Sequence, residues 1–200
     1  MNSKTYLRQL VEDFHSTVVA TIENNLPQTR VIDLMLWDEK GIYFLTAKGK
    51  SFYHQLMNQG YIALSATKDQ QAISFHGKVK NIHQNKLNEI FEKNTYMKKI
   101  YPKDSREALE VFCIYEGEGE YFDLRNPSHI FRESFSIGIQ TTFNSRYIID
   151  SSCTHCKKCI SLCPQHCISD SIQIQEEHCL HCGRCIEYCP NHSIKERKSV

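Results

Sequence analysis

No stretch of this sequence holds the ~20 consecutive apolar residues that a bilayer-spanning helix needs. The first fourteen residues carry scattered charges and no apolar run of the kind a secretory signal uses. A cytoplasmic chain with reduced thiols is therefore the expectation, with no membrane partner. Charge of one sign is lacking too: the net charge is +1, which points to neither nucleic acid nor anionic lipid. The lysines between Lys78 and Lys103 are interleaved with Glu89 and Glu92 and read as a solvated face. No spacing suggests a Ser-His-Asp set or a carboxylate pair, so no catalytic residue is assigned. Cysteine is nearly missing from the first 152 residues, where only Cys113 occurs, in an apolar run that reads as buried strand. The other nine of the ten cysteines fall between Cys153 and Cys189. That break in composition divides the chain into an ordinary globular part, residues 1–140, and a different segment, residues 141–200. With 40% hydrophobic residues, the first part can bury a core.

Cys153, Cys156, Cys159 and Cys163 follow the pattern C-x2-C-x2-C-x3-C, with Pro164 next. Cys179, Cys182, Cys185 and Cys189 repeat it, with Pro190 next. Zinc would usually use two separated C-x2-C pairs, redox exchange needs one pair, and disulfides suit exported chains. The doubled quartet resembles the signature of bacterial two-cluster ferredoxins. That resemblance implies two [4Fe–4S] clusters with crossed ligands. One cluster takes Cys153, Cys156, Cys159 and Cys189, and the other takes Cys179, Cys182, Cys185 and Cys163. The proline after each fourth cysteine helps break the local helix.

The repeat runs past the ligands. Cys163-Pro-Gln-His-Cys-Ile matches Cys189-Pro-Asn-His-Ser-Ile, 26 residues on. Two similar halves related by a pseudo-two-fold axis are expected, neither stable alone. Each should hold a strand, a cluster loop, a helical turn and a second strand, with residues 147–149 and 172–174 among the strands. So small a segment has little core, and metal binding should be inseparable from its folding. Cys167 falls opposite Ser193 and reads as a packed small side chain. His155 and His181, inside the ligand loops, either hydrogen-bond cluster sulfur or fill surface.

In the first part, Tyr6, Leu7, Leu10, Val11 and Phe14 lie at helical spacing and predict an amphipathic helix over residues 3–14. Strand-like runs follow at 17–22, 29–37, 42–46, 61–67, 72–82, 110–115 and 120–123. Turns are expected at Asn24-Asn25-Leu26-Pro27 and over 38–41, and helices over 51–58 and 86–97. A mostly β pattern with short turns suggests a small antiparallel barrel.

Arg30-Val31-Ile32 on one strand is followed by Tyr43-Phe44-Leu45-Thr46-Ala47-Lys48-Gly49-Lys50-Ser51, which leads into a helix with Gln55 and Leu56. This arrangement resembles the pyridoxamine 5′-phosphate oxidase-like FMN-binding split barrels, over residues 1–130. The resemblance implies that Arg30, Val31 and Ile32 lie against the flavin. It implies that Leu45, Thr46, Lys48, Lys50 and Ser51 surround its phosphate, and that Gln71 is a further contact beside the strand Ile73-Ser74-Phe75-His76-Gly77-Lys78-Val79. Cationic and hydroxyl groups at a helix N-terminus suit a phosphate independently. Three positions depart from the family. Ser51 and Phe52 replace an Arg-Lys pair, and Met35 replaces a substrate-binding lysine, so pyridoxamine phosphate is not the expected substrate. Residues 132–138 resemble a linker found where such barrels are fused to ferredoxin segments.

The expected class is α+β: an N-terminal antiparallel split β-barrel with helices, then a C-terminal βαββαβ-like two-cluster ferredoxin domain. The expected protein is a homodimeric iron–sulfur flavoprotein oxidoreductase. It passes electrons between two [4Fe–4S] clusters and FMN, to or from a redox partner protein or a small-molecule acceptor. A ferredoxin-type carrier or redox sensor with a flavin-free dimerisation barrel is the competing expectation. Deazaflavin or haem in place of FMN is a third.

Overall fold

The protein is described by a computed structural model over residues 3–197. The N-terminal helix forms in two windings, α1 (Ser3–Arg8) and a π-helical turn over Gln9–Phe14. Tyr6, Leu7, Leu10 and Val11 are buried, as their spacing predicts. The wider winding closes where the His15 amide, at φ 61°, donates to the Leu10 carbonyl at 2.9 Å.

The barrel strands come next. Strands β1 (Ser16–Glu23) and β2 (Leu26–Asp33) pair antiparallel. Asn24 and Asn25 join them, both at positive φ, as a tight two-residue hairpin requires. The run expected over 29–37 is split, because β3 (Leu36–Asp38) is a separate strand paired with β4 (Gly41–Ala47). The backbone changes partner between them: the Leu34 amide donates to His15 and the Met35 amide to Tyr43, both at 2.8 Å. Helix α2 (Ser51–Gln59) stops at Gly60, whose left-handed φ of 61° lets its amide reach the Leu56 carbonyl. Strands β5 (Tyr61–Lys68) and β6 (Gln71–Asn81) follow. The single helix expected over 86–97 is two, α3 (Leu87–Lys93) and α4 (Met97–Ile100). The Asn94 side chain ends the first by donating to the Ile90 carbonyl at 3.0 Å and the Met35 carbonyl at 2.9 Å.

The two strands expected at 110–115 and 120–123 are one long strand, β7 (Leu109–Asp123). Gly117, between those two runs, marks a close strand approach. A Cβ there would sit 2.3 Å from the His76 carbonyl oxygen, and one on Gly77 would sit 2.2 Å from that of Glu116. Residues read as linker form β8 (Phe131–Ile137), which pairs with β7. The sheet order is β2-β1-β5-β6-β7-β4-β3. One core cluster gathers Met35, Tyr43, Ile90, Phe91, Val111 and Cys113, so Cys113 packs as a small hydrophobe. The lysine-rich stretch is paired and solvated: Lys78 meets Glu116, and Lys86 meets Asp38 and Glu89.

The chain divides into two compact units. The boundary drawn from sequence lies at 140/141. In the structure, residues 69–71 and 122–133 also cluster with the cysteine-rich segment from residue 142 onward. Within that second unit, Gln165 accepts the Ile130 amide at 3.0 Å and donates to the Pro127 carbonyl at 2.9 Å. Strand β9 (Tyr147–Ile149) pairs antiparallel with β10 (Ile194–Glu196). Short helices α5 (Lys158–Leu162) and α6 (Arg184–Glu187) sit at equivalent points of the repeat. The strand expected at 172–174 is reduced to one bridge, Ile168 to Ile174. Ile172 stands at φ 61°, outside the extended region a strand needs.

Candidate functional site

Three cysteines spaced by two residues alternate sides on a strand and cannot converge there. In the structure each triplet wraps a loop, helped by left-handed residues at His155 and Lys157 in one half and at His181 and Gly183 in the other. Two cavities result. The walls of one include Cys153, Cys156, Cys159 and Cys189, and those of the other include Cys163, Cys179, Cys182 and Cys185. Each takes three cysteines from one motif and the fourth from its repeat. Their free interiors are narrow, about 10 and 20 Å³. None of the ten cysteines is in a disulfide. Among the described residues, no three His, Cys, Asp or Glu side chains converge as a single-ion site. A donor set of four thiols around a cavity suits a cubane, whose iron corners lie apart.

The second cavity also meets Cys167, which the repeat identified only as a small-residue slot. Cys167 is buried, and its sulfur lies 3.4 Å from that of Cys163. A hydrogen bond from Cys167 holds the Cys179 thiol below its usual range, against the upward push of burial. The two loop histidines differ. His155 is exposed, whereas the half-buried His181 ring bonds Arg132 and Glu176. Burial, then the Arg132 charge, lower the His181 pKa. Its backbone amide, rather than its ring, reaches the Cys179 sulfur, at 3.4 Å.

The flavin-related residues fall into three groups. Thr46, Lys48, Lys50 and Ser51 form one continuous strand–turn–helix, from the end of β4 to the start of α2. No side chain caps that helix start. The Thr46 hydroxyl is buried with no hydrogen-bond partner among the described residues. Arg30 reaches the same helix: it donates to Gln55 at 2.9 Å and to Thr21 at 2.6 Å, with its guanidinium over Phe52. Val31 beside it is exposed, and Ile32 is half-buried. Leu45 is partly buried and packs against the core cluster of Met35 and Tyr43. Gln71 begins β6 and clusters with the second unit, whereas the Thr46–Ser51 group clusters with the first.

Sequence reasoning missed Glu110. It pairs with Thr46 in register and is buried. Burial would raise its pKa, but hydrogen bonds from Asn81, Tyr53 and His83 and the charge of Lys48 hold it near about 2. Lys48 lies 3.4 Å from this carboxylate. The signal was a lone acidic residue opening the apolar run Val111 to Ile114. Two of the departures also have structural roles. Met35 is a core side chain, and Phe52 stacks on Phe44 beneath Arg30. A separate open cleft of about 830 Å³ is lined by Thr21, Ile22, His54, Gln55, Gln59 and Tyr61, among others. None of the residues expected to touch flavin lines it, although Arg30 bonds two of its walls.

Comparison with solved structures places the barrel among known folds. A NimC/NimA-family protein of Clostridium acetobutylicum aligns with a TM-score of 0.57 at 22% identity, covering 67% of this chain and 92% of that one. A second protein of that organism, related to general stress protein 26 of Bacillus subtilis, aligns at 0.53 and 18% identity, covering 68% and 97%. General stress protein 26 of Bacillus anthracis aligns at 0.50 and 15%, covering 68% and 100%. These likenesses establish the split-barrel fold. Comparison with curated proteins returns no match. Residues 150–200 match the LdpA iron–sulfur cluster-binding domain, and residues 4–115 match the pyridoxamine 5′-phosphate oxidase model. With more than half its length matched by that second model, the chain belongs to the pyridoxamine 5′-phosphate oxidase family and carries an iron–sulfur-binding domain later in its sequence.

Proposed function

We propose that this protein is an iron–sulfur flavoprotein oxidoreductase. It passes electrons between two [4Fe–4S] clusters and FMN, to or from a redox partner protein or a small-molecule acceptor. The observation that carries the reading is the pair of four-cysteine cavities, each completed by the other repeat, in a chain whose remaining unit is a family barrel. The donor sets fit the clusters: Cys153, Cys156, Cys159 and Cys189 for one, Cys163, Cys179, Cys182 and Cys185 for the other.

The barrel residues fit FMN. The unpartnered Thr46 hydroxyl, the ammonium groups of Lys48 and Lys50, and Ser51 at an uncapped helix start suit its phosphate. Arg30, with Val31 and Ile32, presents a strand to the ring. Bound FMN exchanges electrons singly or in pairs, which links one-electron clusters to two-electron chemistry. The chain itself supplies orientation and charge. Pyridoxamine phosphate is not the substrate in this reading, because Met35 is buried in the core and Phe52 is a packing aromatic.

A homodimer belongs to the same proposal. Val18, Ile22, Val31 and Tyr61 are exposed apolar residues on one face of β1, β2 and β5, and a second copy would cover that face. A cytoplasmic setting keeps nine closely spaced thiols reduced. The competing reading, a carrier or sensor with a flavin-free barrel, draws on Glu110, an anion that already engages Lys48 beside Thr46. Anaerobic reconstitution with iron, sulfide and FMN separates the two. About eight iron and one flavin per chain support the oxidoreductase. Eight iron and no flavin leave the carrier.

A further inference from the structure

The halves of the cluster unit agree closely in backbone. His166 and His192 stand at φ 51° and 50°, and their amides donate to the Cys163 and Cys189 carbonyls at 3.2 and 3.1 Å. One residue on, the Cys167 carbonyl accepts the Gln175 amide at 2.8 Å, and the Ser193 carbonyl accepts the Asp150 amide at 2.9 Å. Side chains at these two positions are therefore aimed alike. Both are buried, at 2% and 1% exposure. The Cys167 sulfur lies 3.4 Å from that of Cys163, and the Ser193 hydroxyl lies 3.2 Å from the Cys189 sulfur.

The chemistry differs where the geometry does not. A ligating cysteine is a thiolate, which only accepts. A serine hydroxyl is a full hydrogen-bond donor, and a thiol is a weak one. From this spot Cys189 therefore receives a strong bond, and the other cavity's cysteines receive a weak one, the single Cys167 proton being divided between Cys163 and Cys179. Hydrogen bonds to cluster sulfur favour the more negative, reduced cluster and raise its potential.

Resting on the two-cluster reading, we propose that Ser193 and Cys167 are positioning residues that set the two clusters apart in potential. Ser193 raises the cluster held by Cys153, Cys156, Cys159 and Cys189. Cys167 gives the other cluster a weaker push and is not itself a ligand. Arg132 and His181 face the Cys179 loop in every variant, so exchanges at these two positions isolate the effect.

The test uses the full chain, reconstituted anaerobically, with iron counted and both midpoint potentials read by electron paramagnetic resonance during a redox titration. Ser193→Ala should lower one midpoint only, and Ser193→Cys should recover part of that shift. Cys167→Ser should raise the other midpoint only, with iron unchanged at about eight per chain. Should Ser193→Ala fail to fold, the two Cys/Ser exchanges still decide. Full iron with unmoved midpoints overturns this inference alone. Loss of half the iron in Cys167→Ser makes Cys167 a ligand and overturns it as well. A wild-type chain that takes up fewer than eight irons sinks the two-cluster reading and the inference with it.

Discussion

The Arg30 guanidinium lies over the Phe52 ring, 4.5 Å from its centroid, while its nitrogens bond Thr21 and Gln55. Phe52 serves as the platform for the Arg30 guanidinium. A planar fork can stack and donate twice at once, and an ammonium cannot. Arg30→Lys should therefore cost about 1–2 kcal/mol in urea unfolding of the apo chain and weaken FMN binding. Unchanged flavin affinity would detach Arg30 from the cofactor.

Thr46 offers a cleaner separation of stability from binding. Its buried hydroxyl has no partner among the described residues, a state that costs about 1–3 kcal/mol. Thr46→Val keeps the shape and removes that penalty. The apo chain should become more stable, while FMN affinity, read by fluorescence quenching, should fall roughly tenfold. A stabilised variant with full affinity would place the phosphate elsewhere.

Glu110 ties acid stability to the same corner. Its pKa is lowered from 4.5 to about 2 on folding. The stabilisation it provides is therefore complete above pH 4.5 and is lost as pH falls toward 2. Glu110→Gln should remove that slope, followed through the fluorescence of Trp37, the single tryptophan. The same variant should strengthen FMN binding by releasing Lys48, if Lys48 serves the phosphate.

Crossed ligation makes a prediction against sequence proximity. Cys163→Ala should halve the iron count and damage the cluster of Cys179, Cys182 and Cys185. Its electron paramagnetic resonance spectrum should match that of Cys182→Ala and differ from that of Cys189→Ala. A spectrum in which the Cys153 cluster is the one lost would refute the arrangement.

Val18 and Val31 sit directly opposite each other across β1 and β2, 47% and 68% exposed. Val31→Asp should leave the fold intact, since nothing buried is disturbed, and shift sedimentation from dimer to monomer. A wild-type chain that is already monomeric would remove the homodimer.

Much was legible before any coordinates because it depends on short spacing. Two cysteine quartets 26 residues apart specify their loops, and the Tyr6–Phe14 periodicity specifies its helix, since each is a local pattern. Asn24-Asn25 likewise announces its own turn. Tertiary structure decided what depends on partners distant in the chain. It joined β7 through Gly117, because Gly77 approaches too closely for a side chain. It ended β2 at Asp33, because the next two amides, of Leu34 and Met35, bond His15 and Tyr43 instead. It buried Glu110 between Lys48 and Asn81 and gave Phe52 to Arg30. Composition and spacing carry no record of such pairings. They arise only when the packed backbone carries groups dozens of residues apart into hydrogen-bond range.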